Sequence, residues 1–252
     1  MRLKGKTALV TGSTSGIGLG IAKAFAADGA NIIINGFGEA DAIETERKGL
    51  EAISGGKAAY DGADLTKPEQ IEGMFAQAEK DFGGVDILVN NAGMQFRSPL
   101  QDFPADKFEL LMATNVTSVF TVGRAVARHM IRRGRGKIIN ICSLMSSLAR
   151  PSIAPYAASK AAVANLTRGM ATDWAKHGLN VNGIAPGYIR TELNEALLKD
   201  AEFNAWVEKR TPMGRWAEPA ELGGAAIFLA SDASSFVNGH ILYVDGAFTA
   251  TV

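Results

Sequence analysis

The sequence predicts one α/β domain, a doubly wound parallel sheet of about seven strands with helices on both faces, and three observations carry that expectation. Apolar runs of strand length alternate with helical patterns from end to end. The runs are rich in Ile and Val with little polar alternation, as strands buried on both faces are. A glycine-rich turn, Thr11-Gly-Ser-Thr-Ser-Gly-Ile-Gly18, joins the first run to the first helical pattern. In order, strands are expected at residues 7–10, 31–35, 57–63, 85–90, 137–141, 180–185 and 240–244. Helices are expected at 17–28, 40–53, 68–82, 105–133, 155–177 and 219–231. Such alternation builds right-handed crossovers. Neither a low-complexity linker nor an internal repeat interrupts it, so residues 1–252 are expected to form a single domain. One stretch departs from the pattern. Residues 188–217 carry Phe203, Trp206, Met213 and Trp216 beyond the sixth strand. They read as a lid or partner helices over a ligand, with an ordinary surface excursion as the alternative.

Composition narrows the function classes. Lys plus Arg and Asp plus Glu balance at 26 each, which argues against a general basic field for nucleic acid. The local cluster from Arg132 to Lys137 reads as a solvated helix end with cations at its C-terminus. Cys142 is the only cysteine, so an intrachain disulfide is excluded. A small core residue in a reducing cytoplasm is expected. Residues 7–10 are too short an apolar run for a signal sequence, and no segment is expected to span a bilayer. His129, His177 and His240 lack metal-ligand spacing, so no metal is expected.

The most informative stretch is Tyr156-Ala-Ala-Ser-Lys160. In a helix these two side chains project from one face, one turn apart. A free tyrosine titrates near ~10, and a neighbouring ammonium would lower that value toward acid/base work at neutral pH. Alone, such a pair is more often an aromatic facing the core beside a solvated lysine. Two further features change the balance: Ser143, just after the expected fifth strand, and the glycine turn after the first. With their order and gaps, these motifs resemble the short-chain dehydrogenase/reductase family, a Rossmann-type fold, from about Lys6 to Val252. The resemblance implies reversible hydride transfer between a secondary alcohol and a nicotinamide cofactor. It implies that Tyr156 moves the hydroxyl proton, that Lys160 also holds the nicotinamide ribose, and that Ser143 donates to the substrate oxygen. It implies a fourth residue, Asn115, at a helix bulge that lets water reach the lysine.

The glycine turn supplies the cofactor site. Gly12 permits a tight turn, while Gly16 and Gly18 are expected to let backbone and pyrophosphate approach. The helix opening near Ile17 offers N–H groups to phosphates. Thr14 and Ser15 lie in the same turn. By resemblance, Asp64 and Leu65 contact the adenine, and Asn91, Ala92 and Gly93 pass the adenosine ribose. Pro186 and Gly187 close the sixth strand, with Ile189 and Thr191 near the nicotinamide amide. Cofactor choice should be set at the end of the second strand. There an acid would bind ribose hydroxyls and an arginine a 2′-phosphate. Gly36, Phe37 and Ser15 stand at the discriminating positions, so NAD is expected and NADP is the alternative.

The resemblance is uneven along the chain. Up to about Gln95, phrases such as Asn35-Gly-Phe-Gly38 and Tyr60-Asp-Gly-Ala-Asp-Leu65 look like bacterial 3-hydroxybutyrate dehydrogenases. From about Pro99, Asn140-Ile-Cys-Ser143 and Leu148-Ala-Arg-Pro151 look like gluconate 5-dehydrogenases. A relative of both or a chimera of two halves is therefore expected, with the cofactor held mainly by 1–95 and the substrate pocket and lid in 96–252. Hydroxybutyrate dehydrogenases hold a carboxylate with a histidine and a lysine at positions that are Met145 and Ile153 here, whereas Gln95 is retained. Arg97 is a candidate partner for a sugar acid's carboxylate, with Arg150 and Arg190 further possibilities. D-gluconate and its 5-keto form are the expected substrate pair, ahead of another sugar acid, a polyol or 3-hydroxybutyrate. A cofactor-binding regulator without turnover is the reading from another class. The long helices and the last strand resemble parts used in family interfaces, which implies a homotetramer.

Overall fold

In the computed structural model, residues 1–251 are described. The sheet has seven parallel strands in the order β3-β2-β1-β4-β5-β6-β7. They are β1 (Thr7–Val10), β2 (Asn31–Asn35), β3 (Ala58–Asp61), β4 (Ile87–Asn90), β5 (Gly136–Ile141), β6 (Leu179–Pro186) and β7 (Ile241–Val244). Side chains alternate across this sheet. Ile33, Leu9, Leu88, Ile138 and Val181 are in register and face one core. Ile34, Val10, Val89 and Ile139 face the other. Helices α1 (Gly16–Ala27), α2 (Ala40–Ser54) and α9 (Gly223–Ala230) cover the second core. Helices α3 (Pro68–Phe82), α5 (Ser118–Arg133) and α6 (Ala154–Trp174) cover the first. The inner strands β1, β4, β5 and β6 are buried between two helical layers, which explains why their sequence runs read as continuously apolar, whereas the edge strands β3 and β7 are partly exposed.

Several elements depart from their expected bounds, and β3 and the long helix over 105–133 do so most informatively. Strand β3 stops at Asp61, whose Oδ1 accepts from the Ala63 N–H at 2.8 Å and turns the chain. The helix expected over 105–133 is α4 (Ala105–Met112), one π turn at Ala113–Thr117, then α5. This 29-residue helix is long and apolar enough to cross a membrane by length and composition alone, contrary to the expectation that no segment would be. Its Val119, Val122, Val126 and Met130 are buried in the core, which accounts for the apolar content. Residues 188–217 contain α7 (Glu195–Lys199) and α8 (Ala201–Arg210). Ile189 pairs with Ala217 at the base, so both ends of this excursion are tied together.

Candidate active site

The strand order reverses between β1 and β4, and their carboxyl ends open into a cleft of about 380 Å³. The turn between β1 and α1 forms one wall. Gly12 has φ +58°, and a Cβ there would lie 2.7 Å from Ala92 Cα. Asn91 Nδ2 donates to the carbonyls of Thr11 and Gly12 at 2.9 and 2.7 Å. Thr11 Oγ1 accepts from the N–H groups of Asn91 and Ala92. These contacts lock the glycine turn to the end of β4.

Gly16 lines the cleft, and a Cβ there would meet only Thr191, at 3.7 Å. Gly18 does not line it. A Cβ on it would lie 2.4 Å from Gly12 O and 2.5 Å from Asn91 Nδ2, so its missing side chain serves packing beneath the turn rather than approach of a ligand. Ser15 makes no side-chain cap, and the first turn of α1 holds no acid. The N–H groups of that turn are thus left for an anion, which fits the pyrophosphate of a dinucleotide.

Ser15, Gly16, Ile17, Asn91, Ala92, Gly93, Pro186, Gly187, Ile189 and Thr191 all line the cleft. Thr14, Phe37, Asp64 and Leu65 lie outside it, toward the β2–β3 edge. Thr14 Oγ1 donates to the Phe37 carbonyl at 2.8 Å, and the Phe37 ring is exposed. The Asp64 carboxylate accepts from Thr66 N–H and Oγ1, which hold it below the ordinary carboxylate range. Leu65 packs against the core. Ser13 and Asn35, which the sequence reading passed over, brace this end. Ser13 Oγ donates to Val10 O, and Asn35 Nδ2 donates to the carbonyls of Asp61 and Ala63.

Of the four candidate catalytic residues, Ser143, Tyr156 and Lys160 line the cleft, while Asn115 is buried behind its Met94 wall. Ser143 follows β5 and caps a short turn, with Oγ accepting from Met145 N–H at 3.1 Å. Tyr156 and Lys160 stand on the first turns of α6. The buried Lys160 Nζ donates to Ile141 O at 2.7 Å and lies 5.9 Å from the Tyr156 ring centroid. Asn115 sits in the π turn. Its Oδ1 accepts from Met94 N–H at 2.8 Å, while Nδ2 donates to Met94 O at 2.9 Å and to Ser159 Oγ at 3.1 Å. Ser159 in turn donates to the Tyr156 carbonyl at 2.7 Å. Ser146, also missed, accepts from Ser143 N–H and donates to Lys160 O. Serines within helices and turns carry no sequence signal that separates such brackets from exposed residues.

Burial governs the titration of the Tyr156–Lys160 pair. Burial pushes the Tyr156 phenol above its ordinary value, against the opposing effect of a hydrogen bond with Ser143. Burial also lowers the Lys160 ammonium. Lys160 Nζ donates to the Ile141 carbonyl, and burial outweighs the lowering of Tyr156 expected from a neighbouring ammonium. Cys142 lines the same cleft with its thiol pushed up to about 11 by burial, and it is inert as a nucleophile.

A second chamber, of about 70 Å³, adjoins Ser143 and Tyr156. Gln95, Arg97, Met145, Arg150, Ile153 and Tyr188 line it, so most of the candidate substrate residues meet there. Arg190 does not, since it pairs with Glu218 at 3.4 Å. Burial and the neighbouring Arg150 lower the Arg97 guanidinium from its ordinary value. Tyr188 gave no signal in sequence beyond an aromatic residue following Pro186-Gly187. Among the described residues, no group of three or more His, Cys, Asp or Glu side chains could hold a metal.

Known proteins extend these observations. A family model described as enoyl-(acyl carrier protein) reductase matches residues 12–249. A gluconate 5-dehydrogenase of Gluconobacter oxydans is 54% identical over 250 residues, 99% of this chain and 97% of that protein. A D-beta-hydroxybutyrate dehydrogenase of Cupriavidus necator is 42% identical over 258 residues, 98% of this chain and 99% of that protein. The structure of a gluconate 5-dehydrogenase from Burkholderia cenocepacia, in complex with NADP and tartrate, superposes with a TM-score of 0.95 at 52% identity, covering 100% of this chain and 98% of that one. Both likenesses run the full length, so the expected division into a hydroxybutyrate-like first part and a gluconate-like last 60% is not supported, nor is a chimera. The glycine turn at the switch point, the residues gathered at its cleft and these full-length likenesses agree: the chain belongs to the short-chain dehydrogenase/reductase family, a nicotinamide-dependent oxidoreductase acting on a CH–OH group.

Proposed function

We propose that the protein oxidises D-gluconate at C5 to 5-keto-D-gluconate and catalyses the reverse reduction. The observation that carries this is the second chamber, where two guanidinium side chains and no acid adjoin Ser143 and Tyr156. A bound nicotinamide dinucleotide supplies the hydride acceptor, or the donor in reverse. In oxidation the Tyr156 phenolate takes the C5 hydroxyl proton as hydride leaves that carbon; in reduction the phenol returns a proton to the carbonyl oxygen. Ser143 donates to that oxygen and stabilises the charge that grows there, its own lone pair being held by the Met145 N–H. Lys160, which lines the cleft, is assigned to the ribose hydroxyls. Asn115 is a positioning residue, bracing the Met94–Gln95 wall and, through Ser159, the start of α6.

Gly12, Ser15, Gly16, Ile17, Asn91, Ala92, Gly93, Pro186, Gly187, Ile189 and Thr191 are assigned to the cofactor. Thr14, Phe37, Asp64 and Leu65 are assigned to its adenosine end, and Gly18 to the support of the turn. Ser15, Gly36 and Phe37 provide no cation for a 2′-phosphate, which favours NAD, whereas the Burkholderia cenocepacia gluconate 5-dehydrogenase at 52% identity is in complex with NADP, which favours NADP. Neither do these three residues provide a carboxylate for the ribose, so the preference for NAD over NADP is modest. Arg97 pairs with the substrate carboxylate. The apolar side chains of Met145 and Ile153 offer nothing to the carboxylate of a short hydroxy acid. Exposed Phe108, Leu110 and Phe120 on α4 and α5 support a homotetramer. The buried free thiol of Cys142 suits a reducing cytoplasm.

The test is a panel of initial rates with D-gluconate and (R)-3-hydroxybutyrate, each with NAD and NADP. Gluconate turnover, faster with NAD, is expected. Turnover of hydroxybutyrate alone would overturn the substrate assignment, and cofactor binding without turnover of any alcohol or ketone would indicate a regulator.

A further inference from the structure

The second chamber holds an electrostatic imbalance that the assignment of Arg97 does not use up. Its lining contains Arg97, Arg150 and Tyr188 but no Asp or Glu. Neither arginine is among the ion pairs of the described residues. Arg150 Nε and the Tyr188 hydroxyl are both buried without a hydrogen-bond partner. Buried donors without acceptors are costly, and two cations facing each other add repulsion. A carboxylate in the chamber would accept from both orphaned donors and neutralise the charge.

The same side chains touch the excursion above the cleft. The Arg150 guanidinium lies 4.7 Å over the Phe203 ring of α8. The Tyr188 ring meets Phe203, Trp206 and Trp216 edge-on, with centroids 5.7, 6.0 and 5.3 Å away. We infer that Tyr188 and Arg150 form a fork that binds the carboxylate of a sugar acid beside Arg97, making Tyr188 a specificity-determining residue for charged over uncharged substrates. This rests on the sugar-acid reading above. Burial keeps the Tyr188 phenol protonated, in the donor form the fork requires.

Tyr188→Phe removes only an oxygen that has no partner in the ligand-free protein. Its Tm is therefore expected to equal or exceed that of the wild type, while the ratio of kcat/KM for D-gluconate to that for D-glucitol falls at least about tenfold. D-glucitol carries CH₂OH in place of the carboxylate, so the ratio isolates the charge. Arg150→Met is expected to lower the same ratio further. An unchanged ratio in both variants, or a lower Tm in Tyr188→Phe, overturns the inference.

A titration with tartrate in the NADH-bound protein, followed by the fluorescence of Trp206 and Trp216, separates this inference from the substrate reading. Tartrate binding weakened by either substitution in a protein inert toward gluconate would refute gluconate as substrate and leave the fork standing. Equal tartrate binding in all three proteins would refute the fork.

Discussion

Replacing Asn115 by alanine perturbs the one side chain that joins the π turn, the cleft wall and helix α6. The asparagine makes three hydrogen bonds, at 2.8, 2.9 and 3.1 Å, to the Met94 N–H, the Met94 carbonyl and Ser159 Oγ. It is 1% exposed, so solvent cannot replace them directly. At a net ~1 kcal/mol each, their loss amounts to ~3 kcal/mol. A domain of this size loses roughly 2–4 °C of Tm per kcal/mol, so calorimetry should show a fall of roughly 6–12 °C. Activity should fall further than stability suggests. Met94 and Gln95 line the cleft, and a displacement on the order of 1 Å at a reacting group can cost about 10²-fold in rate. Asn115→Asp keeps the acceptor for the Met94 N–H but loses both donations, so it should rescue neither property. An Asn115→Ala protein with a Tm within about 2 °C of wild type and an undiminished kcat would refute this reasoning.

Because burial raises the Tyr156 phenol, the base form needed for oxidation is scarce at neutral pH. The kcat/KM for alcohol oxidation should climb about tenfold per pH unit through mildly alkaline pH, while that for ketone reduction stays flat and then declines. An oxidative profile already level below pH ~7 would contradict the raised value. Gly18→Ala puts a Cβ 2.4 Å from Gly12 O, and calorimetry and NADH titration should show lost stability, by about 1–3 kcal/mol, together with weakened cofactor binding. Phe37→Arg supplies a cation where none stands, so the NADP-to-NAD ratio of kcat/KM should rise about tenfold or more; an unmoved ratio would show that the 2′-phosphate does not reach this edge.

What could be read from the sequence follows from which physics is local. Strand and helix positions were legible because apolar runs must be continuous when both faces are covered, as Leu9 and Val10 show by facing opposite cores. The four-residue spacing of Tyr156 and Lys160 survives because one helix carries both. The π turn left no composition signal of its own, since Ala113–Thr117 has residues that an α-helix also accepts; only resemblance placed a bulge there. The direction of Lys160 toward Ile141 was illegible because it depends on how α6 sits against β5. Arg150, Arg190 and Tyr188 show the same limit. Sequence could nominate both arginines, but the excursion's path put one in the chamber and the other on Glu218, and brought Tyr188 beside the first.

The proposed reaction depends on Tyr156 carrying the proton in hydride transfer at a secondary alcohol. Tyr156→Phe, assayed for D-gluconate oxidation with NAD alongside a fluorescence titration with NADH, tests it most directly. A kcat lowered by about 10²- to 10⁴-fold with NADH still bound is expected. A variant that retains turnover within a few-fold of wild type would contradict it.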